Sequence, residues 1–291
     1  MREVNSASCE NKNADALRTA RANVLGIGVS DVTMEDAIRL SNECIRTVCR
    51  EYICTVDAHS IVEAQSDDDL ASIFNDSFLT IPDGMPLVWL AKSQGHKQIQ
   101  RVYGPDFMLE LCRFGVSREY RHFLCGGKPG IADKLREKLV SKIPGLQVVG
   151  TYTPPFHPLD CAEEAELAGM IAIAKPDVVW VGLGSPNQDR FIAQYCGLFE
   201  TNLMVGVGAA FDFHAGTVKE APLWLRNTGL QWIYRLAQEP HRLWKRYLVC
   251  VPSFLWKSGL QLAGISRFTF GAQFTRASLR RQSVDAPSIP D

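Results

Sequence analysis

Val178-Val-Trp-Val-Gly182-Leu-Gly184-Ser-Pro-Asn187-Gln188-Asp189 is the stretch that decides how this chain is read. A short run of β-branched and aromatic residues, ending at glycine, has the length and composition of a buried strand. The glycines that follow allow a sharp turn. Ser185-Pro186-Asn187 then reads as a helix entry, with proline near the first turn and a helical pattern over 187–197. A strand that turns directly into a helix is the repeating unit of an α/β domain.

The same unit recurs on both sides of this stretch. Apolar runs at 52–56, 78–81, 122–125, 147–151 and 203–207 alternate with helical patterns near 34–49, 84–98, 105–116, 129–142 and 162–174. This alternation predicts an α/β, Rossmann-like domain with a mainly parallel sheet and helices on both faces. In such sheets ligands gather at the carboxyl ends of the strands. Nearly every unusual residue of the chain follows a predicted strand.

The pattern sets the expected boundaries. Residues 1–23 are polar and aperiodic and read as a loose leader, and 24–222 as the catalytic α/β domain. Residues 223–268 read as a helical appendage rich in Trp and Arg, with a restart at Pro240 and a second apolar helix from Pro252 to Ile265. Residues 269–291 read as a disordered tail. Nothing approaches the roughly 20 uninterrupted apolar residues of a membrane span, and acids near the N-terminus argue against a signal peptide. Nine cysteines, with no CxxC pair, read as reduced thiols of a cytoplasmic protein and not as a zinc site. The overall charge of −1 hides an asymmetry: residues 226–291 carry ten Lys and Arg against three acids, a net +7, which leaves −8 on the rest. A basic, aromatic tail on an acidic body suits an anionic surface. With a pI near 6.6 and no nucleic-acid motif, nucleic acid is not the expected partner.

Six clusters could carry chemistry, each with a plainer alternative. Thr55 and Asp57 alternate along a strand and so face one way, yet both residue types also cap helices. Asp83 could serve as a general base, although Pro82-Asp83-Gly84 is also ordinary turn chemistry. Arg101 suits phosphate, or a surface ion pair. Gly182-Leu-Gly184 leads into a helix start carrying Gln188, where phosphate is favoured, but the third glycine of a dinucleotide fingerprint is Asn187. Gly206-Val-Gly208-Ala-Ala-Phe211-Asp212 offers a low surface and an acid for a ribose hydroxyl, or simply tight packing and a helix cap. Arg235, Arg242 and Arg246, seven and four apart, share one helical face, which suits a lipid diphosphate at a membrane interface, or a plain solvated face.

Taken in order, these segments resemble the WecG/TagA/CpsF glycosyltransferases, glycosyltransferase family 26. The match runs from about residue 24 to 250 and ends in Gly229-Leu-Gln-Trp232-Ile-Tyr-Arg235-Leu-Ala-Gln-Glu239-Pro240-His-Arg242. The resemblance implies an inverting glycosyltransferase that uses no metal and no cofactor. It would move N-acetylmannosamine, its uronic acid or a hexose from a UDP-sugar to an undecaprenyl-diphosphate-linked acceptor in surface polysaccharide synthesis. It implies Asp83 as catalytic base and Arg101 on the diphosphate, with Thr55, Asp57, Gly184, Gln188 and Asp212 binding substrate. Arg235, Arg242 and Arg246 would meet the lipid diphosphate, with the protein held peripherally on the cytoplasmic face of the membrane. Asp57 replaces the family's usual Asn and adds a carboxylate beside the base, and Glu220 stands where the family often has Arg. The sequence leaves a homo-oligomer open. Two rival readings stay on the page: an NAD-dependent sugar-nucleotide dehydrogenase and a non-catalytic membrane-associated scaffold.

Overall fold

The computed structural model describes residues 17–155 and 157–270, without the side chains of Asn227, Arg242, Lys245 and Arg246. The chain opens with a hairpin of β1 (Arg21–Val24) and β2 (Ile27–Ser30), whose turn places Leu25 and Gly26 at positive φ (52° and 87°). Strand β1 thus begins within the stretch read as a leader. The hairpin was not anticipated, because Arg-Ala-Asn-Val and Ile-Gly-Val-Ser lack the unbroken apolar run that marks the sheet strands.

Six parallel strands follow: β3 (Glu51–Val56), β4 (Leu79–Pro82), β5 (Arg121–Gly126), β6 (Gln147–Tyr152), β7 (Val178–Gly182) and β8 (Leu203–Gly206). Their order across the sheet is β4-β3-β8-β7-β5-β6. The residues alternate between two cores, as the pleat requires. Ile53, Leu124, Trp180 and Val205 face one apolar cluster, while Tyr52, Cys54, Phe123, Val179 and Met204 face the other.

Helices α1 (Met34–Arg46), α5 (Gly104–Val116), α6 (Ile131–Lys142) and α9 (Ala210–Ala215) supply the first layer. Helices α2 (Ala58–Ala64), α3 (Asp68–Asp76), α4 (Met85–Ser93), α7 (Cys161–Ala174) and α8 (Asn187–Tyr195) supply the second. With both faces covered, the inner strands β3, β5, β7 and β8 are buried on both sides, which is why their runs in the sequence looked continuous. Capping boxes at Thr33 and Asp160 fix the starts of α1 and α7.

After the sheet come α10 (Leu223–Asn227), α11 (Gln231–Gln238) and α12 (Pro240–Leu262). The helix does break before Pro240. Pro252, however, does not start a new helix but lies inside α12. The missing N–H removes one bond of the ladder, and packing of Cys250 and Phe254, both buried, holds the rest. The far end of α12 returns to the hairpin: Gln261 accepts from Leu25 N (3.0 Å) and donates to the Asn23 carbonyl (2.7 Å). Asn23 Nδ2 in turn donates to the Phe268 carbonyl at 2.6 Å. Among the described residues no helix is long and apolar enough to cross a membrane. Eight cysteines are described, all free; seven are buried and Cys161 is exposed.

Candidate active site

The carboxyl ends of the parallel strands open on a cavity of about 730 Å³. Strand register explains who meets there. Val56 pairs with Pro82, so Asp57 and Asp83, the next residue of each strand, emerge side by side, and Asp83 N continues the ladder to the Val56 carbonyl (2.8 Å). Thr55 lies in the same wall, its hydroxyl donating to the Gly206 carbonyl at 2.8 Å. Asp57 fills both roles open to it: Oδ1 caps α2 by accepting from Ser60 N (2.9 Å) and Ser60 Oγ (3.1 Å), and the residue lines the cavity.

Asp83 is held from the opposite side by α5, whose first residue, Gly104, donates its N–H to Oδ1 at 2.7 Å. Burial raises its pKa to about 6, and Asp57 adds to the rise. Arg101, the Gly104 N–H and Arg235 pull the other way. A carboxylate in that range is a serviceable base near neutral pH. Locally, Pro82 ends β4 and Gly84 is the N-cap of α4, so Asp83 sits in the short link between strand and helix.

Gly182 and Gly184 turn out to differ. A Cβ at Gly182 would fall 2.5 Å from the Phe211 ring, so that glycine serves packing. Gly184 has φ of +76° with open space around it, which leaves its backbone accessible to a ligand. Gln188, four residues on, is buried under Gly206 and Gly208, and its Oε1 has no hydrogen-bond partner among the described residues. Gln188 also lines the large cavity. Asp212, in the first turn of α9, lines the same cavity and accepts from Thr217 Oγ1 at 3.2 Å.

A second, apolar cavity of about 340 Å³ lies between α2, α4 and the C-terminal helices. Met85, Trp89, Trp232, Tyr247, Phe254 and Leu255 are among its walls. Asp57, Asp83, Gln231 and Arg235 line both cavities, so the two share a boundary at the carboxylates. Arg101 lies in the wall of the second only. The Arg235 guanidinium sits 5.9 Å from the Phe213 ring. Arg235 belongs to α11, whereas Arg242 and Arg246 belong to α12, and the side chains of those two lie outside the described residues. The break at Glu239 therefore divides the face that the seven-residue spacing suggested.

Several neighbours went unremarked in the sequence. Tyr103, Gln231, Ser60 and Ser185 all line the large cavity; Ser185 and Gln231 lie inside quoted motifs, whereas Ser60 and Tyr103 stand only near residues that were singled out. Asp189 is fully buried beside Gln188, with Ser185 and Cys54 close to its carboxyl; burial pushes its pKa to about 7. Among the described residues, no cluster of three or more His, Cys, Asp or Glu is arranged to hold a metal ion.

Known proteins share this arrangement in sequence. The profile of the "Glycosyl transferase WecG/TagA/CpsF family" matches residues 22–267, most of the chain. An N-acetylglucosaminyldiphosphoundecaprenol N-acetyl-beta-D-mannosaminyltransferase of Bacillus subtilis (strain 168) is 33% identical over 196 residues, covering 67% of this chain and 74% of that protein. The protein of the same name from Bacillus spizizenii is 30% identical over 204 residues (70% and 77%). The one from Staphylococcus aureus (strain MW2) is 24% identical over 246 residues (82% and 92%). With the family profile spanning the sheet, the carboxylates and the C-terminal helices alike, the chain belongs to the WecG/TagA/CpsF family and is a glycosyltransferase.

Proposed function

We propose that this enzyme transfers a sugar, of the N-acetylmannosamine type, its uronic acid or a hexose, from a UDP-sugar to an acceptor linked to undecaprenyl diphosphate, with inversion and without a metal. The observation that carries the reading is the position of Asp83 where a polar cavity meets an apolar one. The polar cavity suits a sugar nucleotide: Gly184, Gln188 and Asp212 offer backbone, amide and carboxylate contacts for the uridine end. The apolar cavity suits the first prenyl units of a lipid acceptor. Its sugar hydroxyl would then reach Asp83, which takes the proton as the oxygen attacks the anomeric carbon opposite the departing UDP. One such displacement inverts configuration. Arg235, facing both cavities, is the cation best placed for the diphosphate charge, an electrostatic duty that a metal performs in other transferases. Thr55 and Asp57 shape the sugar end of the donor site.

In this reading residues 24–222 form the catalytic unit and 223–268 an appendage that covers it. The protein binds the cytoplasmic face of the membrane peripherally. Exposed Trp224, Trp244, Leu248, Leu255 and Trp256 on the C-terminal helices support that orientation. Family membership removes the dehydrogenase and scaffold readings.

The test is Asp83→Asn with a short-chain prenyl-diphosphate N-acetylglucosamine as acceptor. Turnover should fall by about 10²–10⁴-fold, the usual contribution of a general base, while UDP still raises the melting temperature. A variant that transfers at the rate of the parent would remove Asp83 from the mechanism.

A further inference from the structure

We infer that Arg101 is a positioning residue, a latch that fastens α10–α11 over Asp83, and not a group that touches the substrate's phosphates. The inference deepens the transfer reading, but it stands on contacts within the protein.

All three guanidinium nitrogens of Arg101 are already committed. Nε donates to the carbonyl of Asp83 itself. Nη1 donates to the Arg226 carbonyl in α10 (2.7 Å), and Nη2 to Gln231 Oε1 in α11 (2.6 Å). The fork therefore bridges the base-bearing loop and two successive helices of the C-terminal segment. Three of its five N–H donors are engaged, so turning the fork onto a phosphate in a two-pronged grip would break hydrogen bonds at a half-buried site.

The surroundings reinforce the bridge. Tyr103 lies under both guanidinium groups, 4.5 Å from that of Arg101 and 5.1 Å from that of Arg226, and its hydroxyl accepts from Gln231 Nε2 at 2.9 Å. Arg226 is balanced by Asp106 (3.4 Å) and Glu220 (3.7 Å), so its charge too is spent within the protein. Helix α11 has no fully buried residue of its own to hold it in place. Gln231 and Arg235 are one turn apart on that helix and so share a face. Fixing Gln231 consequently fixes the direction of Arg235, which lines both cavities beside Asp83. Arginine is needed because only its planar fork reaches three acceptors at once. Lysine would keep the charge and lose the geometry.

The experiment uses the full chain and the variants Arg101→Met, Arg101→Lys and Gln231→Leu, read by amide hydrogen exchange across residues 223–238. All three should exchange faster there, by about tenfold or more, with the sheet protected as in the parent. UDP affinity of Arg101→Met should stay within about tenfold of the parent, and its KM for the lipid acceptor should rise more than its kcat falls. Two results would overturn the latch: unchanged exchange in the Arg101 variants, or a larger loss of UDP affinity that lysine restores. Gln231→Leu retains Arg101 and guards against a variant that fails to fold. Should the parent bind no UDP at all, the transfer reading fails, and the exchange arms still decide the latch.

Discussion

Asp83 and Asp57 are neighbours because two parallel strands end in register, and each changes what the other can do. Burial lifts Asp83 to about 6, and the Asp57 carboxylate adds to the lift, while Arg101, Arg235 and the Gly104 N–H oppose it; Tyr103 stands nearby. In the proposed transfer the active form is the carboxylate, so kcat/KM should fall about tenfold per pH unit below pH 6 and level off above it. Asp57→Asn removes the negative neighbour and should move that acid limb to lower pH. A limb that stays in place would show that Asp57 does not tune the base. Asp189 makes an independent case. Its folded pKa of about 7 lies above the usual value of 3.8, with burial as the leading cause. Between those values the unfolded chain ionises first, so stability should decline as pH rises from about 4 to 7 and stay low above that. Melting curves of Asp189→Asn should lack this slope, and an unchanged slope would assign it elsewhere. The Gln188 and Asp189 pair also shows what sequence reading achieves at this scale. A glutamine and an acid at a helix start were visible in the motif. That one would face a cavity and the other be sealed beneath it was not, because a helix near its N-terminus offers both directions to adjacent residues.

Among the elements, the hairpin and α3 depend on one side chain. Arg21, on β1, sends Nη1 to the carbonyls of Asn75 (2.9 Å), Phe74 (3.3 Å) and Gly28 (3.3 Å), and Nη2 to those of Ser77 and Phe78. These include carbonyls at the end of α3, which the helix cannot satisfy itself. Burial lowers the Arg21 pKa to about 10, still well above neutral pH, so it remains charged. Arg21→Met keeps the bulk and loses the bonds. It should cost about 3 kcal/mol, read from the shift of the urea midpoint, since buried acceptors are left unpaired. A shift near zero would mean that water replaces the guanidinium. The sheet strands and long helices were legible to within two or three residues at most ends, the strands as apolar runs rich in β-branched residues and the helices by their period. The hairpin and the short helices were not: Arg-Ala-Asn-Val and Ile-Gly-Val-Ser have no unbroken apolar run, and α2, α3 and α9 lack the proline at the entry that marks α4 and α8. The unbroken run of α12 through Pro252 escaped for a different reason: tertiary packing overrode a local helix breaker.

Across the whole molecule, the C-terminal segment is pinned at both ends, by Arg101 near Asp83 and by Gln261 at the hairpin, with the apolar cavity between. The basic charge excess and exposed aromatics of this segment are the basis of the proposed membrane orientation. Replacing Arg242 and Arg246 by Glu should weaken cosedimentation with anionic vesicles by about tenfold or more at low salt, and less at high salt. Binding that ignores both the charge and the salt would end the proposal. The sequence by itself determined the α/β class, the parallel sheet and the row of polar residues at its carboxyl edge. These follow from short apolar runs, helical periods of 3.6 residues and turn chemistry, which neighbours in the chain fix among themselves. Only the tertiary structure decided that β3 lies between β4 and β8, which sets Asp57 beside Asp83 and Thr55 against Gly206. It alone decided that the appendage folds back and occupies Arg101. Strand order and helix docking are settled by burial and hydrogen bonding between segments tens to hundreds of residues apart, and no period along the chain records them.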